Sequence, residues 1–119
     1  MINNPLLEER KVYAGKKLIF IKLSSHLEYA QTQEFKLLFT KEFDDGNFRF
    51  VLNMSNVSFI YSAQVGVLWT ALKQARIKDG DIRLSEMTEA VKTAFRSLNL
   101  QKSIRFYDAD EQAIASFNH

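Results

Sequence analysis

Three short apolar runs, each set apart from the next by a segment of helical spacing, constrain what this chain can fold into. "KLIFIKL" (17–23), "FRFVLNM" (48–54) and "DIRLS" (81–85) have the apolar density or the alternation of buried and partly covered strands. Between them the apolar period lengthens. Phe35, Leu38 and Phe39 share one face of a helix predicted from about Tyr29 to Phe43, with Gly46 of "FDDGN" as its stop. Val65, Leu68, Trp69 and Leu72 fall at i, i+3, i+4 and i+7 in a second helix, from about Ser62 to Lys78, closed by Asp79-Gly80. Val91, Ala94, Phe95 and Leu98 repeat that spacing in a third, with Thr88 as its expected N-cap. Strands that alternate with helices call for a mainly parallel sheet with helices packed against it.

The two ends complete the pattern. "KVYA" reads as an edge strand joined to the first run through Gly15 and Lys16, a link short enough to require antiparallel pairing. "SIRFY" reads as a last short strand. Asp108 with Glu111 resembles a capping box for a final helix that buries Ala113, Ile114 and Phe117. The predicted order is β-β-α-β-α-β-α-β-α, an α/β fold with a mixed sheet of about five strands and about four helices. It is expected to form one domain over residues 1–119.

Composition removes several function classes. The absence of cysteine excludes disulfides and thiol chemistry. His26 and His119 lie far apart with no short-range ligand spacing, so neither a metal nor another cofactor is expected. The net charge of +2 is spread among interleaved acids and bases, without the basic stripe of a nucleic-acid binder. No apolar run approaches the ~20 residues needed to cross a bilayer, and "MINNPLLEERK" lacks a signal-peptide core. A cytoplasmic protein without membrane insertion is expected.

Working residues of such folds gather where strand carboxyl ends lead into helices. The two junctions to weigh are "LSSHLE" and "NVSFIYSAQVG". Ser55, Ser58 and Ser62 have no nearby base in sequence, and no Gly-x-Ser-x-Gly elbow surrounds them. Ser62 reads instead as an N-cap, and His26 as an ordinary loop residue. Gly66 alone, without a lysine, makes no phosphate cradle. Trp69 reads as core. What survives is an exposed, uncharged turn whose Tyr61 and Gln64 suit contact with another protein. The chain is therefore expected to be a protein-binding module and not an enzyme.

The segment from "FVLNMSNVSFIYSAQVGVLW" to "SIRFYDADEQAI" resembles the STAS domain, the fold of bacterial anti-sigma factor antagonists. That family reads roughly Val-Leu-Asp-Leu-Ser, then Val-x-Phe-Ile-Asp-Ser-Ser-Gly-Leu-Gly, a helix, a glycine-closed turn, a strand and a further helix. A short strand and a helix opening with Asp-x-x-Glu follow. "LIFIKLSSHLEYAQTQEF" extends the likeness toward the amino end. The resemblance implies partner switching: the domain binds an anti-sigma factor that is also a serine kinase, and phosphorylation at the helix start ends the binding. A phosphate brings about −1.5 to −2 charge. Against a carboxylate ~5 Å away at effective dielectric ~20, each unit costs about 3 kcal/mol, more than a hundredfold in affinity.

The pattern breaks where the switch would lie. With Phe59-Ile60 on the family's Phe-Ile, Tyr61 replaces the aspartate, Ser62 matches the first serine and Ala63 replaces the phosphorylated one. Gln64 stands for glycine, Val65 for leucine, and Gly66 matches. Asn53 replaces the preceding strand's aspartate; Glu28 keeps an acid in the earlier loop, and Ser25 replaces its glycine. An alanine has no oxygen to phosphorylate. The expectation is a module that binds an anti-sigma factor/serine kinase-type ATPase through Glu28, Tyr61, Ser62, Ala63, Gln64 and Val65, not switched at Ala63, with Ser62 the remaining candidate for modification. A second reading is a structural subunit or scaffold of a transport or signalling assembly. A third, weaker one is a small ligand or nucleotide at the same helix start. Exposed strand edges would also allow a homodimer.

Overall fold

The computed structural model describes residues 4–24 and 27–117. Its elements follow the predicted order: β1 Leu7–Tyr13, β2 Leu18–Leu23, α1 Thr32–Asp44, β3 Arg49–Asn53, α2 Ser62–Ile77, β4 Asp81–Ser85, α3 Glu89–Ser97, β5 Phe106–Tyr107 and α4 Asp110–Ala115. The strands form one sheet in the order β1-β2-β3-β4-β5. β1 pairs with β2 antiparallel, and every later pairing is parallel.

This order decides where the helices sit. Each parallel crossover steps one strand in the same direction, and right-handed crossovers then place α1, α2 and α3 on one face. The main core lies there, where Ile19, Ile21, Phe50, Leu52, Ile82 and Leu84 meet Phe35, Phe39, Leu68, Leu72, Val91 and Phe95. The alternate strand residues Leu18, Phe20 and Val51 point to the other face, where Ala113 and Phe117 of the α4 region cover them. Arg83 secures that cover. Its guanidinium stacks 3.9 Å from the Phe117 ring centroid and donates to Asp81 (2.9 Å) and to the Ser116 carbonyl (2.6 Å).

Local departures from the sequence reading have physical causes. The Gly15-Lys16 connection is a 3-10 turn over Ala14–Lys16, followed by Lys17 at φ 52°. Tyr29–Gln31 likewise form a 3-10 turn before α1 begins. Gly46 takes φ 83°, the role expected of it. At the Asp79-Gly80 stop the left-handed residue is Asp79, at φ 61°. Gly80 is required for room, since a Cβ there would lie 1.8 Å from the Phe48 carbonyl oxygen. Thr88 caps α3 by accepting from the Val91 N–H at 3.3 Å. The last helix is capped one residue later than Asp108: Ala109 is the N-cap, and its N–H donates to Gln112 Oε1 at 3.2 Å.

Candidate functional site

The loops leaving β2 and β3 meet beside the first turn of α2. Asn53, buried at the end of β3, organises the second loop. Its Oδ1 accepts from the Ser55 N–H (2.9 Å) and Oγ (2.7 Å), and its Nδ2 donates to Asp110 Oδ1 (2.8 Å). Ser85 Oγ donates to the same carboxylate oxygen at 2.6 Å. An amide at position 53 fits this network because it donates to Asp110; an aspartate would set two carboxylates against each other. Asn56 then ties the loop to the end of β2, donating to the Leu23 carbonyl at 3.2 Å. Val57 and Ile60 anchor the loop in the core, so Ser58 and Phe59 between them face solvent.

The α2 start differs from the sequence reading in three residues. Ser62 is not the N-cap. Tyr61 holds that place in extended backbone, φ −86° and ψ 151°, and Ser62 is the first helical residue, exposed. Gln64, expected on the surface, is interior at 0% exposure, and Val65, expected both on the buried helix stripe and in the binding surface, is interior at 4%. The helix stripe that buries Leu68 and Leu72 passes through Val65. Gln64 turns inward because two backbone groups need partners. Its Oε1 accepts from the Tyr61 N–H (3.1 Å), and its Nε2 donates to the Glu28 carbonyl (2.8 Å). It is a strut between the two loops. Ala63 stays exposed, its methyl at one end of a groove of about 420 Å³ between α1 and α2.

Of the six residues expected to make the surface, Glu28, Tyr61, Ser62 and Ala63 are exposed and lie around the two loops. Ser25 and His26 fall outside the described residues. Two surface residues went unnoticed in the sequence. Tyr29 packs edge to face on Tyr61 with centroids 5.4 Å apart, and Phe59 does so at 4.8 Å. The available signal was the Phe59-Ile60-Tyr61 run, in which Ile60 takes the inward place. Beside the rings, Leu27, Glu28, Val57, Ser58, Phe59 and Tyr61 line a hollow of about 270 Å³, with Glu28 the one charged side chain among the described residues there. Trp69 is partly buried against the main core, with Lys73 Nζ 5.7 Å from its ring.

Ser58 and Ser62 carry hydroxyls, but no histidine, lysine or carboxylate among the described residues is hydrogen-bonded to them. No group of three or more His, Asp or Glu among the described residues could hold a metal. Among the described residues no helix is long and apolar enough to cross a membrane. The arrangement offers a contact surface.

The STAS domain sequence profile matches residues 10–113. A Thermotoga maritima protein provisionally named an anti-sigma factor antagonist superposes with a TM-score of 0.85 at 21% identity, over 93% of this chain and 94% of its own. An anti-sigma factor antagonist from Mycobacterium paratuberculosis gives 0.78 at 14% identity, over 93% and 94%. The Bacillus anti-sigma factor antagonist SpoIIAA gives 0.70 at 16%, over 91% and 94%. Profile, strand order and superposition agree, and the chain belongs to the STAS domain family.

Proposed function

We propose that this protein is a non-enzymatic regulatory module of the cytoplasm that binds an anti-sigma factor/serine kinase-type partner through the start of α2, and that phosphorylation at position 63 does not govern the binding. The exposed methyl of Ala63 carries this reading, standing where the family pattern has its modifiable hydroxyl. SpoIIAA has been solved both unphosphorylated and phosphorylated, so a relative of this fold takes the modification. At Ala63 the side chain has nothing to accept it. The neutral neighbours agree: Tyr61 and Asn53 stand where the pattern has acids.

The test is incubation with candidate serine kinases and ATP, followed by intact and peptide mass analysis. The expected result is unmodified protein. A phosphate on any residue from 58 to 64 overturns the loss of switching. A partner recovered from native cells that is a subunit of a transport assembly would overturn the anti-sigma assignment in favour of a scaffold.

A further inference from the structure

The chain has fifteen aromatic residues, ten Phe, four Tyr and one Trp. Only three are exposed, and Tyr61 at 38% touches both of the others, Tyr29 at 63% and Phe59 at 57%. Chance would scatter exposed rings over the surface. Here Tyr61 packs edge to face against each of the other two rings, which joins the three into one exposed ridge. Contiguous exposed apolar groups of this kind mark interaction surfaces, and rings are the side chains that most often dominate binding.

The ridge is built before any partner arrives. Tyr29 and Tyr61 come from different loops, and the buried Gln64 side chain joins those loops through the Glu28 carbonyl and the Tyr61 N–H. Few rotatable bonds are left to freeze on binding, so more of the contact energy appears as affinity. Electrostatics then narrows the partner. From Phe50 to Leu72 no residue is charged, and among the described residues Glu28 is the one ion lining the neighbouring hollow, while Lys36 lines the groove at Ala63 and Glu8 accepts from Asn56. A highly charged partner face would lose hydration against the rings and find few ions to pair with.

The geometry points to Tyr29, Phe59 and Tyr61 as a preformed docking ridge for a partner protein whose facing surface is an apolar, uncharged depression. This deepens the proposed function and rests on it for the existence of a protein partner. It adds that apolar burial, rather than charge, holds the pair together.

The test places a photoreactive benzoylphenylalanine at position 29 or 59 of the full chain in its native cells. Controls carry it at positions 77 and 98, which are also apolar and exposed (Ile77 78%, Leu98 46%). Extracts are irradiated at about 50 mM or about 1 M NaCl, the latter shortening the screening length to about 3 Å. The expected result is one shared adduct from positions 29 and 59, mapping to an apolar peptide of the captured protein. Its yield should change less than about twofold with salt and fall about tenfold or more with Tyr61→Asp. No adduct from 29 and 59, equal adducts from 77 and 98, or loss of the adduct in high salt would overturn the ridge. If the adduct behaves as expected but its protein is no kinase-type ATPase, the ridge stands and the proposed partner class falls.

Discussion

Replacing Gln64 by leucine tests the strut directly. Leucine has a similar size and fills the buried space, so the change removes hydrogen bonding more than packing. Two backbone groups then lose their partners, the Tyr61 N–H at 3.1 Å and the Glu28 carbonyl at 2.8 Å. A buried group left unpaired costs about 1–3 kcal/mol. Both groups are only partly buried, so the lower half of that range applies to each, giving ~2–4 kcal/mol for Gln64→Leu. Urea unfolding followed through Trp69 fluorescence would report the loss. Amide exchange would locate it: Tyr61 N–H should exchange at least tenfold faster, beyond any change at Phe50 or Leu52 in the sheet. A loss below about 0.5 kcal/mol, the scale of a neutral surface change, would refute the strut.

Four further outcomes follow from the structure. Arg83→Ala removes the stack on Phe117 and the bonds to Asp81 and Ser116, and should cost about 2–4 kcal/mol, with α4 amides losing exchange protection first. Gly80→Ala should destabilise by about 3 kcal/mol or more in the same unfolding assay, because its Cβ would meet the Phe48 carbonyl in backbone that cannot swing away. Burial alone would raise the Glu42 carboxyl, but hydrogen bonds from Arg10 and Asn47 outweigh it and hold Glu42 below the ordinary value of 4.5. The stabilisation is therefore complete above that value and lost as pH falls through the lower folded one, so the gap in urea midpoint between wild type and Glu42→Gln should hold near neutral pH and close as the pH is taken below 4.5. Ala63→Glu should leave thermal stability within about 0.5 kcal/mol, an acid being welcome in a first helical turn, while weakening partner binding about a hundredfold by titration calorimetry, the cost of burying a charge against an apolar face.

Most of the architecture was legible because strand and helix periods differ and this chain keeps them apart. The runs at 17–23, 48–54 and 81–85 became β2, β3 and β4 nearly to the residue, since their apolar residues face helices. What misled was single-residue logic at helix ends. A serine beside a helix start suggests a cap, yet Tyr61 occupies the N-cap and Gln64 reaches back to its N–H from three residues on. The same residue looked like surface because glutamine usually is. Its interior place depends on the Glu28 carbonyl, 36 residues away in sequence, which no local pattern discloses. Asn53 was visible as a departure from the family pattern, but its reason, the carboxylate of Asp110, lies 57 residues on.

These substitutions bear on one another. In the family pattern position 64 is glycine, which has no side chain to join the loops, and position 61 is an acid. Here Gln64 fixes the two loops together, and Tyr61 supplies a ring to the surface they form. A hydroxyl restored by Ala63→Ser would therefore sit on a stiffened, neutral mouth. A phosphate there would find free N–H groups in the first turn of α2 and little opposing charge within the chain. Any effect on binding would then come from the partner's side, through burial of a doubly charged group against an apolar face. So phosphorylated Ala63→Ser protein should keep the amide exchange pattern of residues 27–31 and 57–64 and still lose its partner. A phosphate that loosened those loops would show that Gln64 does not hold them.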